Sequence, residues 1–375
     1  MSIQPQDAFK QFQEQEIDFF SGVPDSLLKN FCSFVDENVD KENHVIAANE
    51  GSSIAISIGY HLATSKTPLV YMQNSGIGNA INPLLSLADE RVYSIPMVLM
   101  IGWRGEPNIK DEPQHIKQGA VTEAMLKAMD IKTYILDQNS SLDVIKDACN
   151  SAKNNKKPVA ILVKKNTFAE YKPIKNLKSD LSMSREDIIK IVAKSADKFK
   201  YSIVSTTGVS SRELFEYRAD NNLGHSKDFL TVGGMGHASQ IALGIGMFAK
   251  DKNILCLDGD GAYLMHTGAN AEIGVRSIKK FKHIVINNKC HDSVGGQPTR
   301  AGKIDLNKIA SSFGYKVYPT CKTENELIDA IDKFLISDEC SFMEIQAKPG
   351  FRKDLGRPTT TPEENKICFM QSIQS

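Results

Sequence analysis

Short runs of β-branched and aliphatic residues recur along this chain, each followed by a turn rich in Gly, Asn or Asp and then by a longer amphipathic or small-residue stretch. That alternation is the pattern of parallel strands covered by helices. In the first half it predicts strands over His44–Ala48, Pro68–Met72, Pro96–Ile101, Lys132–Leu136 and Val159–Val163. In the second half it predicts Tyr201–Ser205, Phe229–Val232, Ile254–Leu257, His283–Ile286 and Ser341–Ile345. Between the two series, NTFAEYKPIKNLKSDLSMS (166–184) loses periodicity and gains Pro and Lys, which reads as a linker. Ser184 with Asp187 then makes a capping-box-like start to a new helix. The expectation is an α/β protein of two domains, 1–170 and 184–375, each a mostly parallel sheet flanked by helices, joined by a linker over 171–183. Two segments read otherwise. Phe20–Leu27, FSGVPDSL, reads as a helix start with Pro24 near its first position and Asp25 or Ser21 as cap. Asp111–Gly119, DEPQHIKQG, reads as a polar loop.

Composition narrows the function classes mainly by exclusion. The 375 residues balance 45 basic against 45 acidic side chains, so no basic stripe suggests nucleic acid and no acidic tail suggests disorder. The first twenty residues are polar, unlike a signal peptide, and no window approaches the ~18 apolar residues of a membrane span. The seven cysteines are scattered and never form a C-x-x-C pair, against both a disulfide framework and a zinc site. A reducing cytoplasm is the expected compartment.

The chemistry concentrates in DKNILCLDGDGAYLMHTGANAEIGVRSIKKFKHIVINN (251–288). A buried-type strand runs into Asp258-Gly259-Asp260-Gly261, and a second ends at Asn287-Asn288. Ligands of open α/β sheets sit at the carboxyl ends of strands, where both clusters fall. Asp260 offers a hard carboxylate, Asn288 an amide oxygen and Cys290 a backbone carbonyl, three ligands of an octahedral Mg²⁺ shell completed by water and phosphate oxygens. Gly-Asp-Gly alone arises by chance in roughly one chain of this length in ten, and the pairing with Asn-Asn in about one in a thousand.

This pair resembles the signature of the thiamine diphosphate-dependent enzymes. FLTVGGMGHASQIALGIG (229–246) resembles the segment that places a large apolar side chain, here Met235, under the bent cofactor, with the Gly233 carbonyl towards the pyrimidine amine. Thr207-Gly208 matches a further diphosphate-contacting loop, and Gly261 and Ala262 follow the metal aspartate against the same group. Asn49-Glu50-Gly51-Ser52 resembles the family's catalytic glutamate segment. Glu50 would share a proton with the pyrimidine ring, and burial against a helix of small residues would raise its pKa. The backbone of Ser75–Asn79 is a further candidate for cofactor approach. The resemblance implies a pyrimidine-binding first domain, a diphosphate-binding second domain and no middle domain. It also implies active sites at subunit interfaces, in a homodimer or homotetramer.

Within that family, GVPDS, NKCHDSVGGQPT and GRPTTTPEENK resemble the phosphonopyruvate decarboxylases, with the sulfopyruvate decarboxylases as near relatives. The resemblance implies loss of CO₂ from a small 2-keto acid bearing a phosphonate, in phosphonate biosynthesis. Asp25 would face the reacting carboxylate, His115 would serve acid–base steps, and Ser21, His291 and Asp292 are candidates for substrate contact. Position 294 is Val where pyruvate decarboxylases carry a glutamate, so the final proton must come from His291, Asp292, His115 or water. Arg300 and Arg352 are candidates for the phosphonate, alongside Lys353, Arg104 and Lys110.

Overall fold

The protein, described here by a computed structural model over residues 2–173 and 179–375, divides into two compact units, Met1–Asn176 and Leu177–Ser375. Of the expected linker, 174–178 lie outside the described residues, whereas 171–173 and 179–183 carry neither helix nor strand.

The first unit is built on six strands, β1 (Phe20–Gly22), β2 (His44–Ile46), β3 (Leu69–Gln73), β4 (Met97–Gly102), β5 (Lys132–Leu136) and β6 (Pro158–Val163). They form one sheet in the order β2-β1-β3-β4-β6-β5, with every pairing parallel. β4 is buried along its whole length, because helices cover both faces of the sheet. Its side chains alternate between two cores. Val98 and Met100 join Phe12, Phe20, Phe31 and Tyr71 on one side, while Met97, Leu99 and Ile101 join Ile54, Ile77 and Leu126 on the other.

The second unit carries β7 (Tyr201–Ser205), β8 (Asp228–Leu230), β9 (Asn253–Gly259), β10 (Phe281–Asn287), β11 (Lys316–Val317) and β12 (Ser341–Gln346). Its order, β11-β12-β10-β9-β7-β8, is again wholly parallel and is the same topology as the first sheet read from the other edge. Leu255, Leu257, Ile284 and Ile286 face one core, and Ile254, Cys256 and Val285 face the other. The expected α/β class, with parallel sheets between helices, is the class found.

Two local readings are corrected and one strand is added. Phe20–Gly22 is a strand paired on both sides, and the helix that follows begins only at Lys29, so neither Ser21 nor Asp25 is its N-cap. Gly22 lies so close to β3 that a Cβ there would meet the Tyr71 carbonyl oxygen at 2.1 Å. The polar segment after Asp111 is a helix from Pro113 to Ala128, with Pro in its first turn. The edge strand β11, only two residues long, had no signal of its own. By contrast, the Ser184–Asp187 capping box opens the helix Arg185–Lys198 as expected. Among the described residues no helix is long and apolar enough to cross a membrane.

Candidate active site

In each unit the polar groups collect at the carboxyl ends of the strands, where parallel sheets expose loops and helix N-termini. In the first unit β2 runs into Asn49, whose side-chain oxygen accepts from the Ser52 N–H and caps the helix Glu50–Thr64. Glu50 is therefore the first residue of that helix, and it is buried. Its Oε2 accepts from Asn79 Nδ2 at 2.7 Å. Its Oε1 lies against Gly76, where a Cβ would stand 2.4 Å away, so only glycine leaves room for the carboxylate. The Ser75–Asn79 segment thus walls in Glu50.

Asp25 follows β1 and is fully buried. Its Oδ1 accepts from Gln73 Nε2 at 2.6 Å, and its Oδ2 accepts from the Leu27 and Leu28 N–H groups at 2.8 and 3.3 Å. Burial raises its pKa, opposed by these donors and by the positive charge of Arg104. Gly102, at the end of β4, is to Asp25 what Gly76 is to Glu50: a Cβ there would fall 2.1 Å from Oδ2. Ser21 is buried within β1 and accepts a hydrogen bond from Ser53 Oγ at 2.8 Å. His115 is a buried member of the first turn of the Pro113–Ala128 helix and not a loop residue.

Arg104 is committed. Its guanidinium forks onto Asp111, with Nη1 donating to Ser26 Oγ at 2.7 Å. Burial pushes the Asp111 carboxyl up, but the Arg104 fork and the Glu112 and Gly105 N–H groups outweigh it and hold the acid well below its usual range. Lys110, on the same loop, is exposed.

In the second unit, Thr207 and Gly208 follow β7, and Thr207 Oγ1 accepts from the Gly233 N–H at 2.9 Å. That bond ties the loop after β7 to the Gly233–Gly236 turn after β8, whose three glycines have φ of +76°, +57° and +85°. Met235, half-buried, reaches back so that its methyl lies 3.5 Å from where a Gly261 Cβ would be. Where a turn was expected, β9 runs straight to Gly259 and Asp260 is the first residue of the short helix Asp260–Met265, buried with Ala262. Its carboxylate accepts from Thr299 Oγ1. Burial pushes Asp260 up to about 7, opposed by Thr299 and nearby backbone N–H groups and aided by the charge of Asp292. A buried carboxylate so poorly compensated fits a cation as its counter-charge.

After β10 the two asparagines diverge. Asn287 is pinned to β12, donating to Glu344 Oε1 at 2.7 Å. Asn288 is buried and donates from Nδ2 to Asp292 Oδ2 at 2.6 Å, while its Oδ1 accepts from the Cys290 N–H at 3.2 Å. Asp292 is drawn into a network of donors besides Asn288. It also accepts from Arg185 Nη1, the Cys290 thiol and the Gly350 N–H at 2.9, 2.9 and 3.0 Å. The His291 ring lies about as close to the Gly261 position as packing allows, 2.9 Å from a Cβ built there. Burial lowers its pKa to about 4, with Asp292 opposing, so the imidazole is neutral at pH 7. Arg352 is spent on Glu186 and Glu216, whereas Arg300 and Lys353 are exposed.

Sequence reasoning passed over Gln73, Gly102, Arg185, Glu213 and Thr299, and it named Gly76 only within the Ser75–Asn79 backbone, not as the neighbour of Glu50. Gly102 directly follows the predicted strand Pro96–Ile101, which was its one available cue. Arg185 and Glu213 carried none, because charged residues on helices ordinarily face water.

Comparison with known proteins adds the following. Residues 6–130 match the family described as thiamine pyrophosphate enzyme, N-terminal TPP binding domain, and 206–345 match the corresponding C-terminal TPP binding domain. A phosphonopyruvate decarboxylase of Streptomyces viridochromogenes is 31% identical over 92% of this chain and 88% of its own length. A second, of Streptomyces hygroscopicus, is 29% identical over 92% and 87%. A sulfopyruvate decarboxylase of Methanosarcina acetivorans is 28% identical over 99% of this chain and 98% of its own.

Proposed function

The chain belongs to the thiamine pyrophosphate-dependent decarboxylases, and on that premise we propose that it converts phosphonopyruvate to phosphonoacetaldehyde and CO₂. The observation that carries this reading is the likeness to two phosphonopyruvate decarboxylases over nearly the whole of both partners. Sulfopyruvate is the second reading, supported by the end-to-end match to a sulfopyruvate decarboxylase.

When bound, thiamine diphosphate supplies the electron sink for decarboxylation. This chain holds and directs it. Asp260, Asn288 and the Cys290 carbonyl would hold Mg²⁺ as a hard-oxygen set, in keeping with the buried, under-compensated Asp260. Thr207, Gly208, Gly261 and Ala262 would line the diphosphate, and Met235 would support the bend between the rings. The Gly233 N–H is occupied by Thr207, which leaves the carbonyl of that residue as its contribution. Glu50 would exchange a proton with the pyrimidine ring. Asp25, whose raised pKa suits a proton-holding acid, would act at the reacting carboxylate. Of the cations considered for the phosphonate, Arg300, Lys110 and Lys353 are exposed, and Arg300 directly follows Thr299, the partner of Asp260; Arg104 and Arg352 are engaged elsewhere. The first unit would be the pyrimidine-binding domain and the second the diphosphate-binding domain. Two or four copies would assemble, with Glu50 of one serving the cofactor of another. The helix that Glu50 opens leaves Ala55, Ile56, Gly59 and Leu62 exposed, an apolar stripe suited to such packing. Seven free cysteines, six of them buried, accord with a reducing, cytoplasmic setting.

The test is to supply purified protein with thiamine diphosphate and Mg²⁺, then phosphonopyruvate, sulfopyruvate and pyruvate separately, and to measure CO₂. Brisk release from sulfopyruvate with none from phosphonopyruvate would overturn the substrate while leaving the family intact.

A further inference from the structure

Asn288 presents a difficulty that its sequence position hides. A carboxamide has two ends of nearly equal size, and only the oxygen end can ligate a cation. If the amide turned over, it would aim two N–H donors at the metal. Something must therefore choose the end.

We propose that Asp292 is the positioning residue that makes this choice, fixing the Asn288 amide so that its oxygen is presented to the divalent cation. The inference rests on Asn288 being a metal ligand. An ionised carboxylate only accepts, so whichever end of the amide faces it must be the N–H end. Asn288 Nδ2 lies 2.6 Å from Asp292 Oδ2, and Oδ1 is thereby turned the other way. There Oδ1 accepts one hydrogen bond, from the Cys290 N–H. Its second lone pair remains for a ligand.

The carboxylate that selects the end is itself held from several directions. Arg185 Nη1 shares Oδ2 with Asn288, at 2.9 Å. The Cys290 thiol and the Gly350 N–H occupy Oδ1. Arg185 cannot swing away, because its Nε and Nη2 fork onto Glu213 at 2.8 and 3.2 Å. All these side chains are largely shielded from solvent, and Arg185 and Glu213 are buried. The chain Glu213–Arg185–Asp292–Asn288 runs from the helix Val209–Asp220, through the first residue of the helix Arg185–Lys198, into the loop after β10. Substitutions that disturb such outer partners of a metal ligand typically weaken metal binding by about 10–100-fold.

The experiment is calorimetric titration of Mg²⁺ into metal-free protein saturated with thiamine diphosphate, with no turnover involved. Asp292→Asn is isosteric but can donate as well as accept, so it no longer selects the end. Its Mg²⁺ affinity should fall about 10–100-fold. Adding Asn288→Asp to that variant should restore affinity to within a few-fold of wild type, because a carboxylate at position 288 has no wrong end. A purely structural role for Asp292 would not be repaired in this way. The double variant reports even if Asp292→Asn alone fails to fold: a folded double variant that still binds ten-fold more weakly overturns the proposal. So does an Asp292→Asn variant with wild-type affinity. Asn288→Ala separates the premise from the inference. If that variant binds Mg²⁺ normally, the ligand assignment fails and the proposal with it. If it loses Mg²⁺ while Asp292→Asn does not, only the role of Asp292 is lost.

Discussion

Gly76→Ala tests the geometry around Glu50 with a single methyl group. Gly76 has φ −70° and ψ −14°, a helical conformation that alanine adopts as readily as glycine, so the backbone itself raises no objection. The side chain does. Its Cβ would lie 2.4 Å from Glu50 Oε1 and 2.6 Å from both Cδ and Cγ. Relaxed contacts between such atoms need about 3.5 Å, so the carboxylate must retreat by roughly 1 Å. That retreat also strains its 2.7 Å bond from Asn79. A misplacement of about 1 Å costs on the order of 10²-fold in rate. Stability should respond far less. Overpacking costs about 1–3 kcal/mol, and the loss of glycine's unfolded-state freedom returns about 0.4–1 kcal/mol. The net is of order 1 kcal/mol, or about 2–4 °C in melting temperature for a unit of this size. The assay is kcat from CO₂ release at saturating cofactor, Mg²⁺ and substrate, beside a circular-dichroism melt. A folded Gly76→Ala protein with kcat within three-fold of wild type would refute the idea that this glycine positions a catalytic carboxylate.

Three further outcomes follow from the same geometry. Glu50→Gln keeps the acceptor for Asn79, so it should bind thiamine diphosphate normally by calorimetry yet lose about 10²-fold or more in turnover; a normal rate would remove Glu50 from the chemistry. Asp25 has its pKa raised by burial, so the folded chain keeps this proton to higher pH than the unfolded chain does. Its contribution to stability therefore falls as pH rises from about 4 through the folded pKa. Asp25→Asn should flatten that limb in melts taken from pH 4 to 8, and curves parallel to wild type would count against it. Arg352→Gln breaks a partly exposed pairing with Glu186 and Glu216, so it should cost no more than about 1 kcal/mol. Its KM should stay within two-fold of wild type, and a ten-fold rise would return Arg352 to the substrate site.

Much of the architecture was legible because buried parallel strands are written as continuous apolar runs. MVLMIG and PVAILV admit few other readings. β1 escaped because three residues are too few for a period, and the Pro and Asp after them imitate a helix start. The Pro113–Ala128 helix escaped for a different reason: its buried face is His115, Gly119, Thr122 and Leu126, which contains one aliphatic residue. Packing there is made by close backbone approach. A Cβ on Gly119 would meet the Gly105 carbonyl oxygen at 1.7 Å, and Trp103 donates to the Gly119 carbonyl. Asp260, Asn288 and Glu50 could be named as candidates because motif spacing or resemblance marks such residues. Residues that hold those groups in place carry no such mark. Arg185 looks in sequence like any solvated helix residue, and Gln73 like the polar end of a strand. Only the three-dimensional arrangement joins them to Asp292 and Asp25.

The parallel pairing of both sheets also bears on how this chain comes to be folded at all. Among the described residues no strand pair in either sheet is closed by a tight turn. The most local pairing in the described sheets already brings His44 back to Phe20, across a whole helix. Each sheet must therefore meet loop-closure entropy before its contacts repay it, and topologies of this kind fold slowly. Meanwhile runs such as MVLMIG stand exposed and prone to pair with other chains. Yield of active protein from a cell should accordingly depend on synthesis temperature and chaperone supply, even where the finished molecule is stable.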